Sequence, residues 1–166
     1  RDEADNLWKQ TLAISPRFLE AQMNLAESLQ QAGKFEQALN LYQRISSDHR
    51  QLVAPRYLLG NLLKSQGRFS EAMDLYQQIM AQQPTYIQAH FSYSSIHSYR
   101  DKTDPHIGLM LDLYANKELT SENRIQLSFA LAKAFENIGD YPQAFKFLKT
   151  GNDLRYRQFD YQVDSD

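Results

Sequence analysis

Apolar residues recur along the chain at intervals of three and four, the spacing that places side chains on one face of an α-helix. The stretch from residue 25 to residue 45 illustrates this pattern with Leu25, Ala26, Leu29, Phe35, Ala38, Leu41, Tyr42 and Ile45. Gly33 interrupts the stretch where a first helix must stop and the chain must turn. The pattern therefore predicts pairs of antiparallel helices, in which neither helix covers its apolar face alone.

Other helix starts are predicted from capping residues followed by proline or by an acidic first turn. These starts are Ser15-Pro16, Asp104-Pro105 and Thr120-Ser121-Glu122. The last two predict helices near 105–116 and 121–137. Between residues 87 and 123 the helical spacing continues, although the order of glycine, aromatic residue and alanine is lost.

The sequence repeats with a period of 34 residues. Segments 32–45 (AGKFEQALNLYQRI) and 66–79 (QGRFSEAMDLYQQI) align without a gap, and the period already holds at Ala4 and Trp8. The repeat pattern resumes at residues 138–145 (IGDYPQAF), after one degenerate stretch with a short insertion. We predict four segments: 1–18, the second helix of a preceding repeat; 19–86, two full repeats; 87–123, a degenerate helical repeat with an insertion; and 124–166, a helix pair followed by a C-terminal helix or linker.

This period and its glycine turns resemble the tetratricopeptide repeat. Counted from Leu19, the family's small eighth position holds Ala26, Gly60, Ser94 and Ala132, and its twentieth holds Ala38, Ala72 and Ala144. A larger side chain there would overpack the helix contact by about 1 to 3 kcal/mol. The frequent aromatic at the fourth position is replaced by Gln22, Arg56, His90 and Ser128. The resemblance implies an all-α fold, a right-handed α-solenoid of antiparallel helix pairs with about three to four repeats, one of them degenerate.

Composition and charge mainly exclude classes of function. The 166 residues, with 42% apolar content, suffice for a folded core, and a net charge of −2 without a basic block gives no attraction to nucleic acid. The lack of cysteine is compatible with a reducing compartment. No apolar run approaches the roughly 18 residues of a membrane span, and no N-terminal apolar signal is present. We expect a soluble, cytoplasmic protein without nucleic acid or membrane partners, and an excerpt from a longer chain because it starts inside a helical pattern without methionine.

No catalytic or metal site is predicted. His90 and His97 lie two helical turns apart, but no Asp, Glu or Cys completes a metal set in that helix, so ordinary packing is favoured. In FSYSSIHSY (91–99) we expect no acid to orient His97 as a base. RYRQFDY (155–161) alternates basic and aromatic residues, yet it favours an isolated amphipathic tail helix over a base-stacking surface. This chain is therefore expected to be neither an enzyme nor a cofactor-binding domain.

The remaining functional surface is the concave groove that the family resemblance implies. Its candidate residues are Met23, Glu27, Gln30, Tyr57, Asn61, Lys64, Phe91, Ser95, Phe129 and Lys133. Met23, Tyr57, Phe91 and Phe129 recur at one position; they either form an apolar ladder for a partner or fill gaps between repeats. Some members of the family hold the C-terminal carboxylate of a partner with Lys and Asn at two groove positions. Asn61 alone does not make such a clamp.

A second resemblance concerns the order of four phrases. These are DPHIGLMLDLY (104–114), LTSENR (119–124), FALAKAFENIGDYPQAF (129–145) and GNDLR (151–155). Together they are similar to the region that precedes the transferase domain in bacterial tetratricopeptide-containing sulfotransferases. The resemblance implies a catalytic domain after residue 166 that uses phosphoadenosine phosphosulfate. The phosphate turn of such a domain is not expected here, since the six glycines are isolated and none follows a predicted strand.

Three roles follow from these patterns. We favour a scaffold in the N-terminal part of a larger sulfotransferase, which presents substrate or partner to the catalytic domain. The alternative is a free-standing adaptor whose groove binds a peptide or a partner helix. A third role is self-association through an apolar end face at Ala4 and Trp8.

Overall fold

The structure, a computed structural model, describes residues 7, 8, 10, 11, 14, 15 and 18–163, with side chains as far as residue 158. The helices are α1 (Leu19–Gln31), α2 (Phe35–Asp48), α3 (Val53–Ser65), α4 (Phe69–Gln82), α5 (Ile87–Ser94), α6 (Pro105–Ala115), α7 (Ser121–Asn137) and α8 (Tyr141–Val163). No strand occurs among the described residues. The all-α fold class predicted from the sequence is confirmed. The chain divides into two compact units, residues 1–82 and residues 83–166.

Part of the prediction for residues 1–18 lies outside the described residues. Ala4, the proposed start of the period, and Pro16, the proposed first residue of a helix, are both in that part. Trp8 is described and helical. The assignment of this segment to a preceding repeat stays a prediction.

The first unit contains two helix hairpins, and its core is apolar and aromatic. Helix α1 packs against α2, α2 against α3, and α3 against α4. The side chains of Tyr42, Tyr76, Ile45, Leu62 and Ile79 are all at most 1% exposed. Burial of such side chains is the main favourable contribution to folding.

The glycine turns have the predicted left-handed backbone. Gly33, Gly67 and Gly139 have φ angles of 73°, 75° and 76°. After α1, the Gly33 N–H donates to the Gln30 carbonyl at 3.0 Å, and the Lys34 N–H donates to the Leu29 carbonyl at 2.9 Å. These bonds satisfy carbonyls at the end of the helix, and glycine takes the required φ angle without a steric cost.

The small residues at the eighth and twentieth positions lie at close helix contacts. A Cβ atom added at Gly60 would lie 2.7 Å from Cε1 of Tyr76 in the facing helix α4. Ala26, Ala38 and Ala72 are fully buried. The predicted reason for small residues at these positions is confirmed at Gly60, where the Tyr76 ring occupies the space of a side chain.

Helix α5, the first helix of the second unit, has only eight residues. The Ser94 hydroxyl donates to the Phe91 carbonyl at 2.8 Å, and the Ser95 hydroxyl donates to the Ser92 carbonyl at 2.6 Å. Such local bonds compete with the backbone ladder of a helix. The chain then continues through a non-helical segment, 95–104, to α6.

The predicted starts of α6 and α7 are confirmed. An Asp104 carboxylate oxygen accepts a hydrogen bond from the His106 N–H at 2.9 Å, and the Thr120 hydroxyl accepts one from the Asn123 N–H at 3.3 Å. At the end of α6, Arg124 donates to the carbonyls of Tyr114 and Asn116 at 3.0 and 2.8 Å. Buried side chains of both helices belong to one core, which includes Ile87, Met110, Leu127, Leu131, Phe135 and Phe147.

Helix α8 runs for 23 residues, so RYRQFDY (155–161) continues it and is not the isolated tail helix predicted from the sequence. Gly151 lies within this helix and does not end it. A Cβ atom there would meet the Phe129 ring at 3.0 Å and the Ser128 Cβ at 3.2 Å, so the glycine permits close contact with α7. None of the described helices is long and apolar enough to cross a membrane.

Candidate protein-binding surfaces

The predicted groove residues of the first unit lie on α1 and α3. Met23, Gln30, Tyr57, Asn61 and Lys64 are partly buried, and Glu27 is exposed. Each hairpin therefore carries its candidates on its first helix, as predicted. Their role in binding stays a prediction.

Asn61 and Tyr57 also contact the buried Tyr76. The Tyr76 hydroxyl donates to Oδ1 of Asn61 at 2.7 Å, and the rings of Tyr57 and Tyr76 are tilted with their centroids 6.0 Å apart. Tyr57 therefore packs within its own hairpin, and its predicted role in a groove or in a gap between repeats stays a prediction. Asn61 gives the Tyr76 hydroxyl a partner, which a buried phenol needs.

Burial changes the acid–base properties of two residues in this unit. Burial, followed by the negative charge of Glu27, raises the pKa of Tyr42 to about 12. Burial also lowers the pKa of Lys64. The ends of these side chains therefore lie in surroundings that disfavour charge.

Two candidates of the second unit lie at the end of α5. Phe91 is 37% exposed, so its ring offers an apolar surface, whereas the Ser95 hydroxyl is bonded to the Ser92 carbonyl. Phe91 is therefore the stronger candidate of this pair for a contact with a partner.

Phe129 and Lys133 line an open cleft of about 470 Å³ between α7 and α8. We call it the α7–α8 groove, and its lining residues are Phe129, Ala132, Lys133, Glu136, Tyr141, Ala144, Phe145 and Leu148. On both helices these residues recur at intervals of three and four. Each lining segment covers eight residues, or seven steps of the helix, a length of about 10 Å.

Three large side chains of α8 give the groove its apolar character. Tyr141, Phe145 and Leu148 are 68%, 66% and 44% exposed. Exposed apolar side chains that lie together mark interaction sites more often than isolated ones do. None of the three was predicted from the sequence, because the groove that the family resemblance implies is lined by first-helix positions. Their helical spacing was visible, but spacing does not reveal whether a helix face is covered.

The ends and rim of the groove are polar. Lys133 and Glu136 form an ion pair at 3.5 Å, so the rim carries both signs of charge. The guanidinium of Arg155 lies 5.5 Å from the centre of the Phe129 ring, within the range of a cation–π contact. An occupant would be held mainly by apolar contacts.

A buried polar network connects α5, α6 and the segment between them. Nε2 of His90 lies 2.8 Å from the Pro84 carbonyl, which can only accept, so this nitrogen carries the proton. Nδ1 of His90 must then accept from Nε2–H of His106 at 3.0 Å. Nδ1 of His106 in turn accepts from the Tyr99 hydroxyl at 2.7 Å. We call this chain of bonds the histidine relay.

The histidine relay holds its members neutral. Burial lowers the pKa of His106 to about 3, with the neighbouring His90 as the next cause. Burial also lowers the pKa of His90 and raises that of Tyr99. A second proton on His90 would point at the Nε2–H of His106, donor against donor, whereas a second proton on His106 would require the Tyr99 hydroxyl to turn and accept. No role of His106 could be predicted from the sequence, since its partners His90 and Tyr99 are distant in sequence.

One sequence prediction about this region is wrong. Nε2 of His97 lies 2.8 Å from a carboxylate oxygen of Asp104, so an acid does orient this histidine. The other oxygen of Asp104 caps α6, and the pair borders a polar pocket of about 290 Å³. No group of three or more potential metal ligands occurs in the described part of the chain.

The sequence matches the family model described as "Tetratricopeptide repeat" over residues 1–59 and again over residues 31–92. No curated protein matches the chain at a significant level.

Several solved structures share the fold. The crystal structure of MamA has a TM-score of 0.72 at 18% identity, covering 96% of this chain and 91% of that one. A putative kinesin light chain from Podosopora anserina, described as having nearly identical TPR-like repeats, has a TM-score of 0.69 at 20% identity and covers 95% and 88% of the two chains. A chain of the APC/C hetero-tetramer Cut9-Hcn1 has a TM-score of 0.67 at 19% identity, covering 92% of this chain and 30% of that one.

Proposed function

The chain belongs to the tetratricopeptide repeat family, and from this premise we propose that it is a scaffold that binds a protein partner within a larger sulfotransferase. Its helical-repeat fold is not an enzyme domain. Any catalysis by the parent protein would therefore require residues outside this chain.

The observation that carries the binding role is the α7–α8 groove. Phe145 and Leu148 present apolar surface to solvent in the middle of an ordered helix hairpin. Contact with a protein would remove that surface from water, which is favourable by about 25 cal/mol for each Å². The hetero-tetramer among the structurally similar proteins supports the general idea that this fold serves in protein assemblies.

The sulfotransferase part of the proposal rests on the ordered phrases between residues 104 and 155. The same resemblance supports a bacterial source and a following domain that takes phosphoadenosine phosphosulfate. A cytoplasmic location belongs to the proposal, and a chain without cysteine is compatible with it. In this arrangement the repeats present a substrate or partner to the catalytic domain.

Sequencing the gene beyond the codon for Asp166 tests this parent. The expected result is a buried strand followed by a glycine-containing phosphate turn and a helix. A stop codon soon after Asp166, or a downstream domain without that turn, would contradict the sulfotransferase proposal. It would leave the scaffold role intact.

The second candidate is a free-standing adaptor, favoured by the exposed ring of Phe91. Replacement of Phe91 by Ala is expected to weaken capture of a cognate partner and to lower the melting temperature less than Tyr57→Ala does, because the Phe91 ring is 37% exposed. Tyr57→Ala is the comparison variant, since its ring packs on Tyr76. A large melting shift for Phe91→Ala would instead support gap filling.

A further inference from the structure

The non-helical segment between α5 and α6 is attached to the second unit mainly by side chains. We call residues 95–104 the strap. Ser98 and residues 100–103 are exposed, whereas Tyr99 between them is only 3% exposed. None of the backbone hydrogen bonds in the described part of the chain joins residues 98–103 to a helix. Tyr99 is therefore a single buried ring in an otherwise exposed stretch.

The strap is held on either side of Tyr99 by contacts that mild acid does not break. Nε2 of His97 lies 2.8 Å from a carboxylate oxygen of Asp104, and a proton added to His97 would place a cation beside that carboxylate. Nζ of Lys102 donates to Oδ2 of Asp140 at 2.5 Å. This hydrogen bond lowers the pKa of Asp140, so the carboxylate stays charged at pH 5. Both attachments therefore persist as the pH falls from 7 to 5.

The contact of Tyr99 responds to acid in the opposite way. Its hydroxyl donates to Nδ1 of His106 at 2.7 Å, and the two rings are stacked with their centroids 6.0 Å apart. Nδ1 is the nitrogen that would take up a proton, since Nε2–H of His106 already donates to His90. While the ring is covered, burial lowers the pKa of His106 to about 3, whereas a solvated histidine is protonated near pH 6.5. Below that pH the uncovered form binds more protons, so acid favours it.

The other titratable groups near His106 do not offset this effect. The groups that face it are His90 and Tyr93 of α5, His97 and Tyr99 of the strap, and Asp104 at the start of α6. The charge of Asp104 favours a protonated His106, but it acts more weakly than burial and His90 do. Helix α7 packs against α5 and α6, and its charged residues are Glu122, which is exposed, Arg124, which donates to carbonyls at the end of α6, and Lys133 and Glu136, which pair with each other.

We propose that the strap is an acid-released cover: when His106 takes up a proton, the ring of Tyr99 leaves the core, while the strap stays attached at His97 and Lys102 and the helices stay folded. This opening exposes far less apolar surface than unfolding of the whole second unit, so it is the cheaper of the two. The device goes beyond the binding role proposed above and requires neither a partner nor a following domain.

The test measures how often each histidine ring of the whole chain is exposed to water. The hydrogen on Cε1 of the ring exchanges slowly with deuterium, and mass spectrometry gives the rate for each histidine. Each rate is divided by that of the same histidine in the chain unfolded in urea. Between pH 7 and pH 5 this ratio should rise about 25-fold for His106, as expected for one proton taken up near pH 6.5 in the open form. The ratio for His90 should rise far less, because the ring of His106 still lies against it.

Two results of this experiment would overturn the proposal. An equal rise for His90 and His106 would mean that the second unit opens as a whole. A ratio for His106 that does not change with pH would mean that opening is not coupled to a proton. His49, at the end of α2, reports separately on any opening of the first unit.

Variants of Tyr99 test whether its ring is the cover. Tyr99→Ala should bring the exchange rate of His106 at pH 7 close to that of the unfolded chain and remove most of the pH dependence of the ratio. Tyr156→Ala, at a side chain that is 67% exposed on α8, is the matched control and should leave both ratios unchanged.

Circular dichroism should show that Tyr99→Ala is folded, and Tyr99→Phe serves if it is not. The phenylalanine keeps the ring but loses the hydrogen bond to His106, so the ratio at pH 7 should rise about fivefold. A ratio for His106 that the folded Tyr99 variants leave unchanged would overturn the proposal, since another group would then cover this histidine.

Discussion

The core of the first unit and the surroundings of α5 bury their helix faces by different means. In the first unit, the Tyr76 ring packs on Gly60, and its single polar atom reaches Asn61. Around α5, the buried groups include His90 and His106, which are 1% and 6% exposed. The stability of the first unit depends on how apolar groups fit together, whereas the stability around α5 depends on which nitrogen atoms carry protons.

This difference has energetic consequences. Apolar burial contributes regardless of pH, because no charge changes. Buried imidazoles must shed water, and burial disfavours their charged form. A regular repeat therefore keeps its stability over a wide pH range, whereas the histidine relay makes α5 and α6 depend on pH.

The largest expected effect is the loss of packing in the first unit. Tyr76→Ala removes a fully buried ring and should lower the free energy of unfolding by about 3 to 5 kcal/mol. Urea denaturation followed by circular dichroism measures this loss. Tyr156→Ala, at a side chain that is 67% exposed, should change it by less than about 0.5 kcal/mol. Similar losses in the two variants would show that the ring contact on Gly60 is not an important part of the core.

A smaller effect is expected from acid on the histidine relay. Burial holds the pKa of His106 at about 3, whereas a histidine in the unfolded chain takes up a proton near pH 6.5. The unfolded state therefore binds more protons below pH 6.5. The contribution of His106 is complete above that pH and is lost progressively as the pH falls towards 3, by up to about 1.4 kcal/mol for each pH unit.

His106→Gln tests this dependence, because the amide keeps a donor and an acceptor but does not titrate. Between pH 6.5 and pH 5, its unfolding free energy should fall by about 1.6 kcal/mol less than that of the wild type. His49→Gln, at the end of α2 and outside the relay, is the control for the substitution itself. Equal slopes in all three proteins would contradict a neutral buried His106.

The smallest effect compares two glycines with open space around them. Gly67 has a φ angle of 75°, so Gly67→Ala should destabilise the protein by about 1 kcal/mol through backbone strain alone. Gly108 lies within α6, where alanine should stabilise by up to about 1 kcal/mol. Thermal melts should therefore shift in opposite directions. Shifts of the same sign would mean that backbone conformation does not control these positions.

The sequence was sufficient to predict the regular hairpins because their signals are local. Gly33 and Gly67 mark turns that only a few residues determine, and the period of 34 aligns the contacts between the helices. The caps of α6 and α7 are equally local. Each depends on a side chain bonded to an N–H two or three residues away.

The histidine relay and the groove could not be predicted in the same way. His90 and His97 share a helical spacing, but His90 pairs with His106 across a non-helical segment. Phe145 and Leu148 have the same periodicity as buried residues do, and their exposure depends on which other helix lies beside them. Both features arise from tertiary contacts that a local pattern does not specify.

The 23 residues of α8 also determine how a body fused after them would be oriented. Beyond Gly151 the helix continues for about 12 residues, or about 18 Å, without a break. It therefore acts as a stiff spacer rather than a tether. One residue inserted in that span would turn anything fused after Val163 by about 100° and move it by about 1.5 Å. The phase of the helix, more than its length, sets the direction in which a fused body would face.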